Sequence, residues 1–196
     1  MASINPRAQS VLDFWFGPPD DPQHAAQRPA WFRKDAAFDE GIRTRFGDLI
    51  EAGLAGALQA WAADAHGALA EVIVLDQFTR NAFRDTARAF AGDARALAAA
   101  QALVDSGRDR GLTGVQRQFV YLPFEHAEDL AQQQRALALF GQLERDEPAL
   151  AGLLPWAQRH HDIVARFGRF PHRNAALGRA STPEELAFLK TPGSGF

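Results

Sequence analysis

Ala68-Leu69-Ala70-Glu71-Val72-Ile73-Val74-Leu75-Asp76-Gln77-Phe78 is apolar nearly all the way round, and whether it is a helix or a strand decides the class of the fold. The β-branched trio Val72-Ile73-Val74 would suit a strand. The flanking alanines and the absence of hairpin turn signals favour a helix buried at the centre of the molecule.

Outward from this stretch the helical signals accumulate. Upstream, Phe38, Ile42, Phe46, Leu49 and Ile50 recur at helical spacing between Asp35 and Ala52. Before them, Pro6 and Gly17-Pro18-Pro19 bracket a short helix with Val11, Leu12, Trp15 and Phe16 on its apolar side. Gly53 and Gly56 interrupt the pattern ahead of a short segment around Leu58 and Trp61, and Asp64-Ala65-His66-Gly67 reads as a turn. Downstream, Asp93 is expected to cap an Ala-rich helix ending at Gly107, and Thr113-Gly114-Val115-Gln116 to open another through a capping box. Pro123 should bend or break that helix near Phe124. A helix is expected from about Gln132 to Arg145, and Asp146-Glu147-Pro148 is a good helix start. Pro155 and Gly168 delimit the next helix, and Phe170-Pro171 is expected to start another. Thr182-Pro183-Glu184-Glu185 carries a full capping signature for a last helix with Leu186 and Leu189 inward. The expectation is one all-α domain over residues 1–196, built from roughly eight to ten antiparallel helices joined by short turns.

Composition narrows the function. A formal net charge of −3 argues against a general nucleic-acid or membrane-surface binder, so any cationic site must be local. There is no cysteine, which removes disulfides, thiolate nucleophiles and Cys-ligated metals. The first residues lack the apolar core of a signal peptide, and Val72-Ile73-Val74-Leu75 is far too short to cross a bilayer, so a cytoplasmic location is expected.

Three polar motifs stand out on this apolar background. In the first, Asp76, Arg80 and Arg84 fall at i, i+4 and i+8, with Gln77 and Asn81 beside them; a helix emerging into solvent with an ordinary Asp76–Arg80 pair explains it equally well. The second, Tyr121-Leu122-Pro123-Phe124-Glu125-His126-Ala127-Glu128-Asp129, sets three carboxylates around one imidazole. Such a neighbourhood can raise a histidine pKa or supply oxygens to a hard metal, but the spacing matches neither His-Glu-x-x-His nor Glu-x-x-His, and a solvated acidic turn accounts for it best. In the third, Trp156, His160, Ile163, Phe167 and Phe170 follow a core stripe, while Asp162, Arg166 and Arg169 follow the next, with an Asp162–Arg166 pair as the bland reading. Between Trp156 and Ala180 five arginines face one aspartate, and a helix restarting at Pro171 would aim its amides at an anion beside Arg169 and Arg173. His24 and His66 have no such company and are expected at the surface.

Taken together, Leu75-Asp76-Gln77-Phe78-x-Arg80-Asn81, Tyr121-x-Pro123-x-Glu125-His126, and His161-x-Ile163 through Arg166-Phe167-Gly168-Arg169-Phe170-Pro171-His172-Arg173-Asn174 resemble the bacterial family called domain of unknown function 924. Val11-Leu12-Asp13-Phe14-Trp15-Phe16 and Trp31-Phe32 extend the likeness over nearly the whole chain. The resemblance implies an all-helical, tetratricopeptide-like fold and no particular activity. Thr79 departs from the proline common in the family, which bears on local turn geometry. No 34-residue repeat signature is visible.

The function expected from these residues is a pocket for a small anionic molecule, with no metal or cofactor implied. Arg80, Arg84, Arg166, Arg169 and Arg173 would hold the anion, and Gln77, Asn81, Tyr121, His161 and Asn174 would line the site. His126, His172 or Glu125 would be the acid–base group if a reaction occurs. Asp76, Arg80, Glu125, His126, Arg166 and His172 are expected to converge on one depression, because polar groups on apolar helices are costly to bury unless they share partners. The alternative is an interaction module gripping a peptide along an open helical groove.

Overall fold

The structure, a computed structural model, describes residues 4–24 and 26–195. Among these residues there are helices and turns and no strand, so the chain is all-α. Helix α1 (Pro6–Phe16) is capped by the Asn5 side chain, and α2 (Ala36–Leu54) by Asp35, whose carboxylate accepts from the amides of Ala37 and Phe38. The central stretch is helical throughout. It runs as α3 (Ala65–Val72), a π-helical segment (Ile73–Phe78) and α4 (Thr79–Ala82), continuous from 65 to 82. Asp64-Ala65-His66-Gly67, expected as a turn, is the start of α3: Asp64 caps it by accepting from the Gly67 amide.

Helix α5 (Asp93–Asp105) follows a short 3-10 turn, Ala87–Phe90. Its N-cap is Gly92 rather than Asp93, whose carboxylate is used elsewhere. Helix α6 (Gly114–Glu125) opens with the expected capping box, passes through Pro123 and ends at Glu125. Helix α7 (Leu130–Asp146) is capped by Asp129. The start expected at Pro148 is only a 3-10 turn, Pro148–Leu150. Helix α8 (Leu153–Phe167) ends at Gly168, which takes the left-handed conformation (φ 69°) that a side chain would strain. The helix expected from Pro171 is also one 3-10 turn, Pro171–Arg173. Helix α9 (Pro183–Phe188) has its capping box, but its inward residue is Glu185, while Leu186 is 51% exposed.

The main core is rich in aromatic rings. Trp15 stacks on Trp31 at 5.9 Å between centroids, and the Trp31 indole donates to the Trp15 carbonyl at 3.0 Å. Phe46 of α2 meets Phe78 of the π segment at 5.0 Å, anchoring one side of the central helix. Ile163, Val164 and Phe170, with Phe167 and Phe188 against them, form a second, smaller cluster apart from the main core. Trp156, expected in the core stripe of α8, is 51% exposed in the first turn of the helix, where the Arg159 guanidinium lies 4.6 Å from its ring centroid.

Candidate functional site

The π segment, the end of α6, α8 and the Phe170–Arg173 turn meet where the two apolar clusters adjoin, and the polar motifs supply the contacts between them. A π turn is widened relative to an α-helix and presents side chains at angles an α-helix cannot. Here it carries Asp76, which is fully buried. The carboxylate accepts from Gln77 Nε2 at 2.6 Å and from His126 Nδ1 at 2.8 and 3.0 Å, and Arg80 Nη1 lies 3.1 Å away. Thr79 makes no turn; its hydroxyl donates to the Leu75 carbonyl at 2.8 Å within the continuous helix. Burial alone would raise the Asp76 carboxyl, but Arg80 and His126 hold it well below the usual carboxylate range.

Arg80 continues the network. Nη1 donates to Asp93 Oδ1 at 2.8 Å and Nη2 to Asp93 Oδ2 at 3.0 Å, a bidentate pair, while Nη1 also reaches the Asp76 backbone oxygen at 2.8 Å. Arg173 Nη1 joins Asp93 Oδ2 at 3.2 Å, so one carboxylate bridges two guanidinium groups from distant parts of the chain. The Arg173 guanidinium lies 4.8 Å from the Phe90 ring centroid and 4.4 Å from that of Phe170, held between two aromatic faces. Its Nε is buried and has no hydrogen-bond partner among the described residues. Burial, with Arg80 nearby, lowers the Arg173 pKa to about 10.

The histidines are held in defined states. Both Asp76 oxygens face His126 Nδ1, so that nitrogen carries a proton. Burial lowers the His126 pKa against the opposing pull of Asp76, which leaves the ring neutral at pH 7 with its lone pair on Nε2. That Nε2 has no hydrogen-bond partner among the described residues and reaches the surface through a side chain that is 15% exposed. His160 Nδ1 stands 2.9 Å from both the Trp156 carbonyl and Glu125 Oε1, two acceptors that place a proton there as well. The two imidazoles lie 6.1 Å apart, and His160 meets Phe170 edge-on at 5.6 Å. His172, 5.6 Å from Phe170 between centroids, is lowered to about 4, by burial first and then by Arg173.

The structure thus gathers Asp76, Gln77, Arg80, Glu125, His126, His172 and Arg173, and it takes the other expected site residues elsewhere. Asn81 and Arg84 bind Asp39 of α2 at 2.8 and 2.6 Å, which holds that buried carboxyl below its usual range despite its burial. Tyr121 donates to Asp109 at 2.6 Å and accepts from Arg117 at 3.1 Å, forming a separate network. Arg166 lies on the outer face, paired with Glu184 at 2.8 Å, so neither its convergence on the cluster nor its pair with Asp162 occurs. Asp162 instead accepts from Gln158 and neighbours His161. Arg169 binds Glu185 at 2.6 Å, and Asn174 donates to Ser181 and Glu185. At the Gly168–Asn174 corner the Phe170 amide donates to Glu128 Oε1 at 2.8 Å, and Arg179 binds the same carboxylate at 2.5 and 2.8 Å. An internal carboxylate fills the place where a free anion was expected. The acidic turn is accordingly no solvated loop: Glu125 is buried on His160 and Glu128 is half-buried on Arg179.

Asp93, Glu128, His160 and Arg179 complete the cluster without having been expected there. By sequence alone Asp93 reads as a helix cap, Glu128 as part of a surface turn and His160 as a core residue. The partners that bring them into the cluster are far along the chain, 80 residues for Asp93 and Arg173 and 51 for Glu128 and Arg179.

The geometry defines an all-helical protein with a buried histidine–carboxylate–arginine cluster. The model of the bacterial proteins of unknown function DUF924 matches residues 11–193, and the chain belongs to this family. A solved structure of a protein of unknown function from Agrobacterium tumefaciens is similar to it, at 42% identity and a TM-score of 0.80, over 94% of this chain and 97% of that one. No curated protein matches the chain. Among the described residues no helix is long and apolar enough to cross a membrane, and no three His, Asp or Glu side chains are grouped to hold a metal ion.

Proposed function

We propose that the cluster is an acid–base site for a small molecule bearing an anionic group, with His126 exchanging the proton and Arg173 holding the anion. The observation that carries this reading is the Asp76–His126 pair. A fully buried carboxylate fixes the proton on Nδ1, and Nε2 is left as an open base at the surface. Asp76 would also stabilise the imidazolium formed when Nε2 takes a proton. Arg173 supports the anionic part of the reading, since a buried N–H without an acceptor is costly and a ligand oxygen would satisfy it. The remaining arginines do not serve this purpose, because Arg166, Arg169 and Arg84 are neutralised by Glu184, Glu185 and Asp39. A peptide-gripping groove is the weaker reading, because the polar motifs that meet do so in an enclosed cluster rather than along an open surface.

Arg173→Lys tests the anion site while keeping a cation beside Asp93, so that the fold is not left with an unpaired carboxylate. Phosphate or acetate, compared with chloride at matched ionic strength, is expected to raise the wild-type melting temperature and leave that of Arg173→Lys unmoved. The stabilisation should approach about 2.7 kcal/mol at a hundredfold excess over the dissociation constant. The reading fails if the anions stabilise neither protein or both equally.

A further inference from the structure

A second site lies away from this cluster, where α3, α5 and the 3-10 turn Gln59–Ala63 enclose a cleft of about 180 Å³. That volume is close to the roughly 150 Å³ of an apolar cavity that takes up benzene, the scale of one small molecule. Much of its wall is alanine: Ala68 from α3 and Ala98, Ala99 and Ala102 from α5. Into this apolar hollow α3 directs Glu71, which is 6% exposed and makes no hydrogen bond or ion pair with any described residue. A carboxylate largely withdrawn from water and left without a protein partner is costly to hold, and an ammonium placed in the cleft would offset that cost.

Arg95 lines the same cleft from α5. Its guanidinium packs over Gly56, where φ is 81° and an added Cβ would stand 2.6 Å from Nη1; the bare glycine makes room for it. Arg95 is near enough to influence the Glu71 charge, yet none of its nitrogens comes within 4.0 Å of a Glu71 oxygen. The other cation of the cleft, Arg108, is committed to the Ala62 carbonyl at 2.9 Å and to the Ser106 hydroxyl at 3.1 Å. A buried anion and an available cation therefore face one hollow without touching. An amine alone would leave Arg95 unanswered, and a carboxylate alone would be repelled by Glu71.

We infer that this cleft binds a small zwitterion of the α-amino-acid class, its ammonium on Glu71, its carboxylate on Arg95 and its short apolar side chain against the alanines. Burial raises the Glu71 pKa, partly offset by Arg95, so the free protein carries this carboxylate at a cost that an ammonium would relieve.

Amide chemical shifts of Ala98, Ala99 and Ala102 provide the readout, with L-alanine and L-valine as ligands and isobutylamine and isobutyrate as single-charge controls of valine's hydrocarbon. One or both amino acids are expected to give saturable shifts, with each control weaker by about tenfold or more. Glu71→Gln should weaken amino-acid binding about tenfold while melting no lower than wild type, because it removes an unpaired buried charge rather than a contact. The inference is overturned if neither amino acid shifts these amides, if isobutylamine binds as well as valine, or if Glu71→Gln binds as wild type does. Arg173→Lys leaves this cleft untouched, so it should bind the amino acids normally whatever becomes of the other site.

Discussion

Gly92 lies flush against the backbone of Leu75: a Cβ at Gly92 would stand 2.1 Å from the Leu75 carbonyl oxygen. The next residue is Asp93, so this contact seats the start of α5 on the π segment at the height of Arg80. Gly92→Ala would meet backbone that cannot swing aside as a side-chain end could. It is expected to destabilise the protein by about 1–3 kcal/mol in urea unfolding. It should also loosen the Asp93 bridge, which arginine side-chain NMR signals of Arg80 and Arg173 would report. A stability unchanged from wild type would show that the two segments are not seated as described.

Asp76→Asn removes the charge on which the cluster converges. Arg80 keeps Asp93, but His126 loses the anion that fixes its tautomer. Breaking a buried pair from one side costs about 3–5 kcal/mol, and a loss near that range is expected in chemical denaturation. Imidazole nitrogen shifts should show His126 passing from a single Nδ1–H tautomer to a mixture. A single tautomer surviving in Asp76→Asn would mean that Asp76 does not set it.

The pH dependence has a calculable sign. His172 falls from 6.5 to about 4 on folding, through burial and Arg173, with His160 and His126 reinforcing the shift and Glu128 opposing it; His126 is lowered as well. Between those values the unfolded chain binds more protons than the folded one, so stability is fully present above about pH 6.5 and is lost as pH falls toward 4. Each such histidine contributes a slope of at most about 1.4 kcal/mol per pH unit. His172→Gln should flatten the profile between pH 4 and 6.5. An unaltered profile would place the proton uptake elsewhere.

Glu128 carries both Arg179 and the Phe170 amide, and its carboxyl is held below the usual range because those partners outweigh its burial. Glu128→Gln is expected to speed hydrogen exchange in residues 163–188 well before it affects the amides of α2 and α6. Uniform acceleration over the whole chain would argue against a local role.

Much of the helical framework could be read from the chain, because capping and periodicity are local: the Thr113 and Thr182 boxes and the Gly168 stop stand where their residues imply. The same locality explains what could not be read. Asp93 has the composition of a cap, and only the approach of Arg80 and Arg173 makes it a bridge. Leu186 has the right periodicity to be inward, yet Arg169 draws Glu185 in instead, and Glu185, bound by that guanidinium and the Thr182 amide, drops to about 2. Asp76, Arg80 and His126 were legible as a polar anomaly on apolar helices. Their convergence with Arg173 depends on the packing of segments some 50–100 residues apart.

The small apolar cluster of Ile163, Val164 and Phe170 meets the main body through Glu125–His160, Asp93–Arg173 and Glu128–Arg179. The walls of the site are thus the two sides of a joint, with ionic contacts prominent at the seam. Closing the joint and building the site are one event. If a molecule is gripped from both sides, its binding stabilises the attachment of the C-terminal segment by mass action, and its apparent affinity falls by the fraction of chains in which high salt or low pH has opened the joint.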